Sequence, residues 1–250
     1  MTPPLIAVAH GSRDPRSAAT VHDLLGVVRA LAPALDVRAA FLDLSAPRLP
    51  DVLAGVHADG HDDAVVVPLL LGSAYHARVD IPGAVAKAAR RHPRLRIQVA
   101  DVLGPDAGLE SAAFGRLVAA GADPTDPLLG VVLAGAGSSH APANAAVQRV
   151  ADGWARSTRW AGAVAGFAAA TDPDVPSAIA ALRAGGARRI AVGSWFLAPG
   201  LLPDRVARQA RAVDPNALVA DPLGADEDVA DVVLRRYAAV AQLSVARQAS

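Results

Sequence analysis

The 250-residue chain has no cysteine. Disulfides, thiolate-ligated iron–sulfur clusters and zinc sites built on Cys are thereby excluded, and a metal would have to be held by histidine and carboxylate. It also lacks an excess of charge of either sign: 24 basic and 24 acidic residues balance to a formal net charge of zero, with no block of Lys and Arg. No field draws in nucleic acid, and no such partner is expected. No apolar run approaches the roughly 18 residues of a membrane span, and the opening MTPPLIAVAHGS has no basic region ahead of an apolar one. A cytoplasmic protein without membrane contact is expected. Motifs are missing too: G-x-S-x-G, G-x-G-x-x-G and G-x-x-x-x-G-K-[ST] do not occur. A serine hydrolase with a nucleophile elbow and a nucleotide loop are both disfavoured.

What is present is a core and a rhythm. Hydrophobic residues make up 52% of the chain, ample for packing, so disorder is excluded for most of its length. Buried-strand patterns near 4–9, 37–42, 64–71 and 96–101 alternate with amphipathic patterns near 15–32, 47–59, 79–91 and 106–120. This is the signature of parallel βαβ units with right-handed crossovers. Pro15, Pro47 and Pro82 are each expected in a first helical turn, where a missing N–H costs nothing.

The second half repeats the first. VADVLGPD at 99–106 matches VADPLGAD at 219–226 in all but two positions. With one gap, GSRDPRSAATV at 11–21 aligns with SSHAPANAAV at 138–147, setting Pro15 against Pro142; Phe41 faces Phe167, and AVVVPLLLG at 64–72 faces RIAVGSWFL at 189–197. The expected architecture is α/β: two similar lobes from an internal duplication, each a small parallel sheet flanked by helices. They are placed at 1–123 and 124–250, joined by GADPTDP at 121–127, with a ligand in the cleft between them.

Of seven histidines, His22, His57, His61 and His92 fall in or beside helices among polar neighbours and read as surface imidazoles. His10 and His76 differ. Each follows an apolar strand, in LIAVAHGS and VVVPLLLGSAYH, where α/β sheets bind ligands. Asp43 follows a third strand in AAFLDLS, either as the cap of the next helix or as a site carboxylate. Together the three make a two-imidazole, one-carboxylate set suited to Fe²⁺, Co²⁺, Ni²⁺ or Zn²⁺. The copy is an internal control: His10 is set against Gly137, Asp43 against Ala169 and His76 against Leu201, so none of the three is retained. His140 is set against Arg13 and is not taken as a ligand. One functional site in the first lobe, covered by a degenerate second lobe, follows.

AHGSRDP with His10, FLDL with Asp43 and LLLGSAYHARVDIP with His76 resemble the class II chelatases of the sirohydrochlorin type, in their two-domain form. The resemblance implies insertion of Fe²⁺ or Co²⁺, with Ni²⁺ also acceptable to such donors, into sirohydrochlorin without ATP and without a further cofactor. It implies that His10 and His76 hold the metal and take the ring protons, with Asp43 as a third catalytic residue. That family commonly has glutamate where this chain has Asp43, so coordination directly, through water or through an imidazole all stay open. The eight carboxylates of the macrocycle call for donors and cations, for which Ser12, Arg13, Ser73 and Arg78 stand nearest, while Tyr75 is placed to stack on the ring. Trp195, Phe196 and Pro199 are expected towards the same cleft. A metal or tetrapyrrole carrier using the same residues is the alternative. The fused duplication suggests a monomer imitating a dimer.

Overall fold

The computed structural model describes residues 2–72 and 80–248, with side chains described up to residue 242. Strands β1 (Leu5–Ala9), β2 (Val37–Phe41), β3 (Asp63–Pro68) and β4 (Arg96–Val99) alternate with helices α1 (Pro15–Leu31), α2 (Leu49–Ala58), α3 (Ile81–Arg91) and α4 (Ala107–Ala119). The second half repeats this as β5 (Leu129–Gly135), β6 (Gly162–Phe167), β7 (Arg189–Ser194) and β8 (Leu218–Val219), with α5 (Ala141–Ser157), α6 (Val175–Ala184), α7 (Leu201–Val213) and α8 (Glu227–Gln248). Two four-stranded sheets result, in the orders β2-β1-β3-β4 and β6-β5-β7-β8. Every pairing is parallel.

Local chemistry explains the elements. Every residue of β1 and of β5 is buried, as expected of central parallel strands covered by helices on both faces. Ile6 and Val8 of β1 pack with Leu49, Leu53 and Val56 of α2 and with Ile81 and Ala88 of α3. Burial of each such Val, Leu or Ile side chain contributes about 1.5–3 kcal/mol before chain entropy is subtracted. Asp14 caps α1 by accepting from the Arg16 N–H at 3.0 Å. Pro15 opens α1 and Pro82 lies in the first turn of α3, as their missing N–H groups allow. Pro47 does not: α2 begins at Leu49 with Pro50 in its first turn, and Pro47 follows a cis bond in the loop before it. There its carbonyl accepts from the Phe41 N–H at 2.9 Å, tying the loop back to the end of β2.

Contacts divide the chain into two compact units, but not at residue 123. One unit contains residues 1–108 with 224–250, the other 109–223. Long-range packing makes the difference. In the first unit α8 packs on α1 and β3. Its Arg236 donates to the carbonyls of Val102 and Leu103 and pairs with Asp106, and the Tyr237 hydroxyl donates to the Pro3 carbonyl at 2.6 Å. Burial pushes that phenol's pKa upward. In the second unit Phe114 of α4 stacks on Trp160 and meets Trp154 edge-on, with ring centroids 5.6 Å apart in both cases.

The copies correspond residue for residue in register and hydrogen bonding through their first two strands at an offset of 126. Leu42 and Asp43 donate to the carbonyls of Ala9 and His10, and Ala168 and Ala169 donate to those of Gly135 and Ala136. Hence His10 stands opposite Ala136, and it is Gly11 that stands opposite Gly137. The reason is steric. Both glycines have positive φ, +94° and +83°, and a Cβ on either would collide with the carbonyl of Asp43 or of Ala169. On the same offset His140 faces Asp14, and both immediately precede their helices. The offset shifts after the third strand: Leu70 and Phe196 match by their bonds to Leu103 and Leu223, whereas the helix ends at His92 and Asp214 are 122 apart. The first repeat therefore carries four more residues between these points, 22 (92 − 70) against 18 (214 − 196).

Candidate functional site

Strands β1 and β2 are neighbours and parallel, so their carboxyl ends bring His10 and Asp43 together by topology alone. The Asp43 N–H donates to the His10 carbonyl at 2.9 Å, joining the two strand ends directly. Leu44 then takes a left-handed φ of 62°, held by the Ser45 N–H bonding back to Asp43 O at 2.7 Å. Ala170 repeats that conformation in the copy at 65°. The tight turn is thus a property of the backbone in both units, and the side chains at 10 and 43 are not needed to make it.

A cavity of about 660 Å³ opens at this edge, lined by His10, Leu42 and Asp43 from the strand ends, Arg48, Leu49 and Pro50 from the start of α2, and Asp80, Gly83, Ala84 and Lys87 from α3. Its described lining residues all belong to the first unit. His10 is half-buried, with its Nδ1 out of solvent. The Asp43 carboxylate does not cap α2. It accepts instead from Arg48 Nη1 at 2.6 Å. The Arg48 guanidinium, the Leu44 N–H and, more weakly, the nearby His10 hold the Asp43 carboxyl below the usual carboxylate range. The carboxylate is ionised at neutral pH and paired with the Arg48 guanidinium.

The other candidates divide in two. Ser12 lies in the turn after β1, where its hydroxyl accepts from the Asp14 N–H at 3.0 Å and its carbonyl accepts from the Ser45 hydroxyl. Ser138 makes the equivalent bond to the His140 N–H, so this serine builds the turn in both units. Arg13 is exposed beside it. His76, Ser73, Tyr75 and Arg78 lie outside the described residues. They fall in the stretch that carries the four extra residues, so the counterpart of position 76 is not set by a constant offset; Leu201 opens α7 and is exposed. Of the aromatic residues expected near the site, Trp195 is buried and Phe196 packs against the second unit's own core. Elsewhere, His57 and His92 face each other with ring centroids 5.0 Å apart, and His22 meets Phe41 edge-on.

Three charged residues of the cavity wall escaped the reading of the sequence: Arg48, Asp80 and Lys87. Arg48 had a signal, since it occupies the helix-start position where the copy has Asp174. Lys87 had one as well: it is the single lysine among 24 basic residues.

The sequence profile of the CbiX family matches residues 4–120 and again 130–240, one match for each repeat. The chain is 25% identical over 235 residues to a sirohydrochlorin ferrochelatase of Bacillus subtilis, spanning 93% of this chain and 89% of that protein. It is 24% identical over 214 residues to a sirohydrochlorin cobaltochelatase of Priestia megaterium, spanning 81% and 66% respectively. A solved structure of SirB from Bacillus subtilis with Fe³⁺ superposes with a TM-score of 0.80 at 25% identity, covering 98% of both chains.

Proposed function

The chain belongs to the CbiX family, and on that premise we propose that it is a metal chelatase that inserts Fe²⁺ or Co²⁺ into sirohydrochlorin without ATP. One observation carries the reading for this chain in particular: a cavity at the carboxyl ends of β1 and β2 gathers His10 and an ionised Asp43, while the duplicated unit has alanine at both places. Such a pair suits a borderline divalent ion, and the absence from the copy says that neither side chain is required by the fold.

Metallation needs two pyrrole N–H protons to leave and a hydrated ion to exchange waters for ring nitrogens. A neutral imidazole does either job near neutral pH. In this reading His10 and His76 face the macrocycle, hold the entering ion and accept the ring protons. Asp43 completes the metal shell or orients an imidazole. Lys87 and Arg48 on the cavity wall, with Ser12, Arg13, Ser73 and Arg78, meet the carboxylates of the substrate, and Tyr75 stacks on the ring. Iron is slightly favoured over cobalt, and the fused repeat supports a monomer.

The test is anaerobic absorbance of the purified protein with sirohydrochlorin and Fe²⁺ or Co²⁺, read against a protein-free blank. A metallation rate above the blank is expected with at least one ion; binding of the tetrapyrrole without acceleration would make the protein a carrier. Because Lys87 is the chain's only lysine, acetylation of that amine followed by mass spectrometry locates the ligand. Sirohydrochlorin should protect Lys87 if it fills this cavity.

A further inference from the structure

The two repeats part company at the residue that starts the helix after their second strand. In the second unit this is Asp174, whose carboxylate accepts from the Ser177 N–H at 2.9 Å and caps α6. In the first unit the same place is taken by Arg48, which makes no capping bond to α2. The backbone is equivalent, since Phe41 and Phe167 form matching parallel bridges to Arg48 and Asp174. An arginine there is a poor choice for the helix: it leaves N–H groups without the side-chain acceptor an aspartate supplies, and it puts a cation at the positive end of the macrodipole. What it does instead is reach back five residues to Asp43, in the cavity that also holds His10. Both partners stay accessible, with side-chain exposures of 45% and 58%, so the pair can be opened by a ligand.

Arg48 and a divalent ion are rivals for one carboxylate. Seating the ion on Asp43 with the guanidinium still attached would place like charges about 4 Å apart, which is unfavourable even where solvent screens them. A second carboxylate removes the conflict, because a guanidinium binds one carboxylate as readily as another and prefers a bidentate one. We propose that Arg48 couples the two substrates: in the empty cavity it occupies Asp43 and opposes metal capture, and a carboxylate of the bound tetrapyrrole draws it off and releases Asp43 to the metal. The proposal rests on the chelatase reading and deepens it. Its consequence is order, since the ion is held strongly only when the macrocycle that will receive it is present. Linkage makes the effect mutual, each substrate raising the affinity for the other by the same factor.

The experiment uses the whole protein and two binding measurements made separately: Co²⁺ alone, followed by its ligand-field absorbance, and sirohydrochlorin alone, followed by fluorescence. Arg48→Ser should bind Co²⁺ more tightly and sirohydrochlorin more weakly, each by about three- to tenfold, the range open to a half-exposed ion pair and to coupling between adjacent sites. Arg48→Lys, which keeps the charge but not the bidentate fork, should shift both affinities in the same senses as Arg48→Ser but by less. Asp43→Asn should move the two affinities in the opposite sense, weakening Co²⁺ and strengthening sirohydrochlorin by freeing Arg48. A residue with a structural role alone would not produce opposed signs, and serine is a good cap, so the variant is expected to melt no lower than the wild type. If the wild type binds both ligands and Arg48→Ser changes neither affinity, or changes both in one direction, the coupling is wrong while the chelatase reading stands. If the wild type binds neither ligand, both fall.

Discussion

Position by position, the carboxyl edges of the two sheets present one backbone and two chemistries. Gly11 and Gly137 pass under equivalent carbonyls, Leu44 and Ala170 turn through the same left-handed conformation, and the carbonyls of Pro47 and Pro173 accept equivalent hydrogen bonds from phenylalanine N–H groups. On that common frame the first unit carries His10, Asp43 and Arg48, and the second Ala136, Ala169 and Asp174. The lesson is about division of labour. Residues common to both edges are there because the chain must turn in little space. Residues particular to one edge are free of that duty, and in the first unit they are the ones that line a cavity.

The comparison breaks most violently at the shared glycines. Gly11→Ala and Gly137→Ala each drive a Cβ into a backbone carbonyl at positive φ, and each should cost at least about 2–4 kcal/mol, a large share of the roughly 5–15 kcal/mol that holds a typical domain together. Thermal unfolding with comparable losses in both variants would establish the common frame; tolerance of either would remove it. Next come the divergent positions. His10→Ala should reduce metal insertion at least about a hundredfold with an unchanged circular dichroism spectrum, and His76→Ala should do the same. Ala136→His should not create a second metal site, because Ala169 supplies no carboxylate beside it; tight Co²⁺ binding by that variant would undermine the case for a single site. Asp43→Asn should slow insertion by about tenfold, less than either histidine change, as suits a supporting carboxylate.

The mildest changes sharpen the contrast at the helix starts. Asp174→Ala removes the cap of α6 and should cost about 0.5–1 kcal/mol, the low end of the capping range for a solvated site, whereas Arg48→Ser should raise stability by a similar amount. Opposite shifts in melting temperature are the readout. The Asp174 carboxyl is held below its ordinary range by the hydroxyl and N–H of Ser177. Its folded pKa is depressed, so its contribution is complete above the usual carboxylate pKa and is lost as pH falls through the lowered value. The penalty of Asp174→Ala should accordingly be full at pH 7 and vanish in strongly acidic solution.

Much of this was legible in the residues. LIAVA announces a strand buried on both faces because it is an unbroken apolar run, and the helix starts at Pro15 and Pro82 follow from what proline forbids. His10 and Asp43 were visible as site candidates because a polar residue directly after a buried strand has only one place to be. Pairing them with the copy erred by one residue at His10: an alignment of letters matched its position to Gly137, whereas the steric demand of the turn pairs glycine with glycine. The Pro47 expectation failed for a related reason, since a proline before a helix can serve the strand behind it, and Pro47 does so through its carbonyl.

By itself the sequence determined the order of strands and helices along the chain, the duplication, and the placing of His10 and Asp43 just past strand ends. Each of these depends on local periodicity or on the topology that βαβ units impose. Tertiary structure alone decided that α4 joins the second unit and α8 the first, that Arg48 turns away from its helix to Asp43, and that Lys87 faces the same cavity. Those outcomes rest on partners distant in the chain or on where a long, flexible side chain finds its counter-charge. Phe114 meets its tryptophans 40 (154 − 114) or more residues away, and Arg236 reaches Asp106 across 130. A pattern with the period of a helix or a strand says which face is buried, but not which of several apolar or charged partners will be there to meet it.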